Sequence, residues 1–258
     1  MKQASLTAEQ WGILQQYRFH RGAPHALAGT EAGELLDEQG VVNYLNERLS
    51  LMGANDLKTA ASLLMKRYAF VAALGMLAAT FWDRKLNLSP DNLVLVDQVS
   101  EKGLWLPQFH LRDTTVEEMT SWSEKKEFIR SLFSGHLDKV IGVLKRSVKL
   151  STLILWENIA VYLFWIYEND AFLTDERLQD KKENDLAQLL SDENSHWFGV
   201  YNKNPLSRYY TDKVRVEGQE GKIRVRKTCC FSYQLENGEQ FRCKNCPQTC
   251  KVKRLTSM

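Results

Sequence analysis

All five cysteines of the 258-residue chain, Cys229, Cys230, Cys243, Cys246 and Cys250, lie within its last thirty residues, and the first 228 residues contain none. Stabilisation by disulfides would spread cysteines over the elements, and an odd count strands one thiol. Thiols gathered at one end are instead the arrangement of a metal site. They run Cys229-Cys230, then twelve residues, then Cys243-Lys-Asn-Cys246-Pro247. Four thiolates in this order can hold a tetrahedral zinc ion or an iron–sulfur cluster, since both take soft sulfur ligands. Zinc ribbons supply their sulfurs from C-x2-4-C turns, whereas here the first pair is adjacent. Neighbouring side chains on a strand point to opposite faces, so an adjacent pair reaches one small ion with difficulty. A two-iron cluster is a larger object and accommodates such a pair at a bend. Spacing alone leaves both open. Cys250, beyond Pro247, is not needed for four-fold ligation and is a spare thiol or an alternative ligand.

Charge is segregated in the same way. From Lys213 onward there are eleven Lys or Arg against four acids, hence +7, which leaves −5 for the remainder of a +2 chain. An almost neutral total conceals an acidic body and a basic tail. Composition otherwise matches a globular protein, with 44% hydrophobic and 26% charged residues, and excludes disordered, collagen-like and disulfide-scaffold classes.

The run Arg226-Lys-Thr-Cys-Cys-Phe-Ser-Tyr233, continuing through Gly238 to Cys243-x-x-Cys246-Pro247, resembles the C-terminal [2Fe–2S] motif of the FhuF-like ferric siderophore reductases. That family's motif is two adjacent cysteines, a gap slightly shorter than the twelve residues found here, and C-x-x-C usually followed by proline. A longer hairpin tip at Glu236 to Gln240 would absorb the difference, and Cys250 falls outside the pattern. Trp156-Glu157-Asn158, in an apolar stretch, is similar to the Trp-x-Asn element of the same family, although a core Trp with a hydrogen-bonded Asn would look alike.

The resemblance implies that Cys229, Cys230, Cys243 and Cys246 ligate a [2Fe–2S] cluster. It also implies that the chain reduces a ferric siderophore or ferric citrate, hydroxamate- and citrate-type chelates being favoured. Such a cluster exchanges one electron at a time. Ferric iron is hard and tightly held by oxygen donors, whereas ferrous iron is held less well, so one electron releases the metal without an acid, base or nucleophile. Arg226, Lys227, Arg242 and Lys244 flank the ligands and would raise the cluster potential or attract an anionic chelate or acidic donor. Phe231, Tyr233 and Phe241 would shield it. With no flavin or nicotinamide motif in view, electrons would come from a ferredoxin or flavoprotein.

The elements that must position these residues read as mainly α in an α+β setting: a multi-helix body with a small β-hairpin, then a C-terminal hairpin and loop region carrying the four-cysteine site. Thr7 with Gln10 has capping-box spacing and opens a helix. Val41 to Met52 repeats apolar residues at helical spacing; Gly53, Asn55 and Asp56 stop it and cap a helix running to about Trp82. Leu93 to Val96 and Leu104 to Leu106 predict a hairpin. Thr115 with Glu118 predicts a second capping box, with helices over 116–132, 136–149, 152–168 and 175–191. A second hairpin is expected between Tyr209–Val216 and Lys222–Tyr233, with the cysteines beginning inside its second strand. The boundary falls near 205, giving a body of 1–205 and a basic cluster-binding region of 206–258.

The N-terminus, MKQASLTAEQW, lacks the apolar core of a signal peptide. The longest uncharged stretch, Tyr68 to Trp82, is shorter than the roughly 20 residues of a bilayer span. The expectation is a cytoplasmic protein without a membrane span. His110-Leu-Arg-Asp113 is only superficially like a kinase loop, and no phosphate-binding glycine loop accompanies it. The histidines at 20, 25, 136 and 196 read as surface or packing residues. The competing class is a zinc-stabilised binding module whose basic tail contacts nucleic acid, but the acidic body offers no DNA-reading motif.

Overall fold

The computed structural model describes residues 2–22, 28–172, 176–236 and 238–251, with the Phe241 side chain left out. Pro24, His25, Lys253 and Arg254 lie outside the described residues. In chain order the elements are β1 (Lys2–Ala4), α1 (Ala8–Gln16), β2 (Phe19–Arg21), β3 (Thr30–Glu31), α2 (Glu38–Met52), α3 (Leu57–Phe81), β4 (Arg84–Leu86), β5 (Leu93–Val96), β6 (Gln108–Leu111), β7 (Val116–Glu118), α4 (Trp122–Leu132), α5 (Asp138–Val148), α6 (Thr152–Glu168), α7 (Arg177–Leu190), β8 (Val214–Arg215) and β9 (Lys222–Ile223).

The centre of the molecule is α3 packed along α6. Both are apolar nearly all round, which is the pattern of a helix enclosed on every side. Asp56 caps α3 by accepting from the backbone N–H groups of Lys58 and Thr59. Gly53, in the left-handed region at φ 63°, ends α2 just before it. By length and composition α3 could cross a membrane, yet 83% of its most apolar window is buried inside the fold. Ala69, Ala72, Ala73 and Gly75 keep its surface low. A Cβ at Gly75 would meet Leu88 Cδ1 at 2.6 Å and Leu132 Cδ2 at 3.1 Å, so a larger residue there would push away α4 and the loop after β4.

Small sheets flank this pair. β7 is the centre of one, antiparallel to β1 and β4. The other has the order β2-β6-β5-β3, with β2 parallel to β6 and the remaining pairs antiparallel.

Local expectations meet mixed outcomes. The Thr7 capping box, the Gly53 stop, the Asp56 cap and the helix over 152–168 are present. Thr115 and Glu118 do not open a helix. Val116–Glu118 is instead a strand held from both sides, and the helix starts one motif later, where Ser121 and Glu124 form the capping box. The first hairpin pairs β5 with Gln108–Leu111 rather than Leu104–Leu106, because Leu104–Leu106 is taken up nearer the turn, where Leu106 N–H donates to the Gln98 carbonyl at 2.7 Å and Ser100 N–H to the Leu104 carbonyl at 2.9 Å. The predicted helix over 136–149 is preceded by a π-helical turn, Phe133–Leu137, continuous with α4 and α5. The second hairpin shrinks to β8 and β9, two residues each, so the cysteines lie in loop beyond the strand, not inside it.

Candidate cluster site

The tail is gripped by α6 at the residues just before the first cysteine pair. Glu157, buried on α6, accepts from the backbone N–H groups of Lys227 at 2.6 Å and Thr228 at 2.7 Å, and from the Thr228 hydroxyl. Its neighbour Asn158, fully buried, accepts from Nη2 of Arg226 at 2.7 Å and donates to the backbone oxygen and hydroxyl of Ser62 on α3. Arg226 Nε also lies 3.7 Å from Glu157 Oε2. A buried guanidinium needs this many acceptors, since a charge removed from water is costly unless paired and hydrogen-bonded. Trp156, on the same helix, donates to the Tyr201 hydroxyl at 3.0 Å inside the core. The Trp-Glu-Asn element is therefore a latch: the tryptophan is packing, and the two polar residues fix the backbone ahead of Cys229.

Beyond the latch the tail crosses the first turns of α3. Ser62 donates to the Cys230 carbonyl at 2.9 Å, Thr59 to the Gln234 side chain at 2.9 Å, and the backbone N–H of Glu236 to the Gly53 carbonyl at 2.7 Å. The chain reverses sharply at Phe231, whose φ of 60° is rare for a residue bearing a Cβ. That bend aims the Phe231 N–H at Cys229 Sγ, 3.4 Å away. The adjacent cysteines thus sit at a bend and not on a pleated strand, which removes the steric objection that strand alternation raised. Phe231 packs on the apolar core.

The second pair is carried by a tight turn in which Cys246 N–H reaches the Cys243 carbonyl at 3.1 Å. Arg226 N–H donates to the Asn245 carbonyl at 3.0 Å and joins this turn to the first arm. The two arms bring Cys230 Sγ to 3.8 Å from Cys243 Sγ, and all five cysteines are free thiols. That separation is about twice a disulfide bond of about 2.05 Å. It matches two sulfurs sharing one tetrahedral metal with bonds of about 2.3 Å, which lie roughly 3.8 Å apart.

The electrostatics favour thiolate at two of the four, Cys230 and Cys246. The contact with Cys243 holds Cys230 below its ordinary value, against the opposing effect of burial and with help from Lys66, Arg226 and the Ser232 hydroxyl. Cys243, its partner, is pushed up correspondingly. Although burial acts to raise it, Cys246 is held below its ordinary value by backbone N–H groups of Gln248 and Thr249 and by Arg242. Burial raises Cys229. Soft donors, N–H and O–H groups aimed at sulfur, and nearby cations are the surroundings an anionic iron–sulfur centre requires, so the residues present fit such a group. Cys250 stands apart, with its thiol 3.2 Å from the Lys244 carbonyl.

Two features escaped sequence reasoning. Lys66 of α3 places Nζ 3.0 Å from Ser232 Oγ and 3.9 Å from Cys230 Sγ, contributed from far away in the chain. Glu168 of α6 takes Lys213 at 2.8 Å and also Arg224, so part of the tail's positive charge answers acids of the body. The four flanking basic residues divide accordingly. Arg226 is only 4% exposed and cannot steer a solute; its guanidinium belongs to the latch. Arg242 pairs with Glu239 at 2.6 Å, while Lys227 and Lys244 are exposed. Of the histidines, His136 is buried, at 2.7 Å from the Tyr68 hydroxyl and 2.8 Å from the Leu88 carbonyl, which makes it a packing residue.

Residues 62–217 match the family described as ferric iron reductase FhuF-like transporter. Residues 226–248 match the FhuF 2Fe-2S C-terminal domain, which includes four of the five cysteines and ends before Cys250. No curated protein matches the chain. The second match decides for a [2Fe–2S] cluster the choice that spacing left open between cluster and zinc.

Proposed function

The chain belongs to the FhuF-like ferric iron reductase family, and on that premise we propose that it reduces a ferric siderophore or ferric citrate in the cytosol, yielding Fe(II) for assimilation. The observation that carries the reading is the meeting of Cys230 and Cys243 sulfurs at 3.8 Å beside the Lys66 ammonium. We assign Cys229, Cys230, Cys243 and Cys246 as the ligands. A [2Fe–2S] cluster held by them supplies one electron at a time. The protein's own residues do the rest. Glu157 and Asn158 fix the first arm, Lys66 and Arg226 place positive charge against added negative charge, and the body keeps one side of the site out of water. Hydroxamate and citrate chelates release iron once it is ferrous, because hard oxygen donors hold Fe(II) poorly. The electron comes from a separate one-electron donor, a ferredoxin or flavoprotein. In this reading residues 1–205 form the body and 206–258 the cluster-binding region.

The test is anaerobic turnover of ferric citrate and a ferric trihydroxamate by dithionite-reduced protein, scored with a ferrous trap, alongside visible and EPR spectra. A red-brown protein that bleaches on reduction and forms trapped Fe(II) is expected. A colourless protein holding stoichiometric zinc would overturn the reading.

A further inference from the structure

Between α6 and the tail lies a cleft of about 390 Å³, within the usual range of small-molecule sites of about 300–1,000 Å³. Phe164 and Trp165 supply apolar wall, and the opposite boundary includes Lys244 and Asn245. Those two residues are the middle of the turn that carries Cys243 and Cys246, so a molecule in the cleft touches the turn itself.

The charge in this cleft is lopsided. Lys213, Lys222, Arg224, Arg226 and Lys244 line it against two acids, Glu157 and Glu168. Both acids are already committed: Glu157 to the Lys227 and Thr228 N–H groups, Glu168 to Lys213 and Arg224. Arg224 is held further by the Tyr210 ring, whose centroid is 4.2 Å from its guanidinium carbon. Lys222 and Lys244 are exposed, and among the described residues neither pairs with an acid. A concave site with two unanswered ammonium groups over aromatic wall focuses potential on an anion with some apolar surface.

Resting on the reductase reading, we propose that this cleft is the chelate site, and that it selects anionic, carboxylate-bearing Fe(III) chelates over neutral trihydroxamates. Lys222 and Lys244 receive the free carboxylates, and the aromatic wall takes the ligand backbone. Lys244 and Asn245 stand between Cys243 and Cys246 in the chain, so a chelate held against them lies against the turn that carries the second cysteine pair. A concave pocket of this size suits a small molecule better than the flat acidic face of a protein donor, whose docking is an outcome of the test.

The experiment titrates Ga(III) citrate, a redox-inert stand-in for the ferric complex, into the oxidised, cluster-containing protein by calorimetry. Binding that weakens roughly tenfold in the Lys222→Gln/Lys244→Gln double variant, and weakens with added salt, is expected. A charge-matched control, Lys126→Gln/Lys145→Gln, alters exposed lysines outside the cleft and should bind as the parent does. A neutral Ga(III) trihydroxamate should bind more weakly and equally to all three proteins. Unchanged Ga(III) citrate affinity in the double variant overturns the proposal, and if reduction of the cluster by an acidic protein donor slows instead, the cleft receives the donor. Ferric citrate turnover by the parent protein separates the two levels: turnover with charge-insensitive binding removes the cleft and keeps the reductase, whereas charge-dependent binding without turnover does the reverse.

Discussion

Oδ1 of Asn158 accepts a 2.7 Å hydrogen bond from Nη2 of Arg226, and both side chains are buried. Arg226 stands three residues before Cys229, so this bond ties the start of the cluster-binding segment to the central helix of the body. Asn158→Ala leaves the guanidinium without that acceptor and should cost about 3 kcal/mol of stability. Urea unfolding would measure the cost, and iron and sulfide per chain should fall with it. Asn158→Asp keeps an acceptor for Arg226 but loses the donor to Ser62, so it should retain more iron than the alanine variant.

Lys66 acts on the sulfur end of the same arrangement. Adding an electron to the cluster is favoured by its positive charge, 3.9 Å from Cys230 Sγ. Lys66→Gln should lower the midpoint potential by about 60 mV, a tenfold change for a one-electron couple. Lys66→Arg should recover most of it. A redox titration followed by EPR reads this directly, and unaltered potentials in both variants would limit Lys66 to anchoring Ser232.

Each of Cys229, Cys230, Cys243 and Cys246 should be needed for colour. Their single serine variants are expected to lose visible absorption and acid-labile sulfide, whereas Cys250→Ser should keep both, since its thiol is turned to the Lys244 carbonyl. Loss of the cluster in Cys250→Ser alone would transfer a ligand role to that residue.

Burial lowers the His136 pKa from 6.5 to about 4. The unfolded chain therefore takes up a proton that the folded chain refuses between those values. Stability is full above pH 6.5 and falls as the pH drops towards 4, by about 3 kcal/mol over the window. Unfolding midpoints followed by circular dichroism should fall with pH through this range. His136→Gln should be less stable at neutral pH, with a flatter dependence.

What the sequence could reveal depended on how local each cause was. The Cys-Cys and Cys-x-x-Cys pairs announced themselves by spacing, and α3 and α6 by uninterrupted apolar runs. Gly53 and Asp56 marked a helix end and a helix start through chemistry confined to one turn. The failures were of another kind. Thr115 and Glu118 have the right local spacing, but strands from distant parts of the chain claim Val116–Glu118. Arg226 reads like any basic residue beside a metal motif until Glu157 and Asn158, some seventy positions earlier, bury it. Lys66 carries no signal in its own neighbourhood at all, because its partner Cys230 lies 164 residues further on.

The Glu157 carboxylate that takes the backbone N–H groups of Lys227 and Thr228 also limits how the protein can be re-engineered. A tail transplanted onto another helical scaffold would arrive with two N–H groups and a guanidinium expecting acceptors, and the body left behind would keep a buried carboxylate and amide facing nothing. A graft that preserves the cluster must carry Ser62, Lys66, Glu157 and Asn158 with it, so the smallest exchangeable unit is the cysteine segment together with the two helices beneath it.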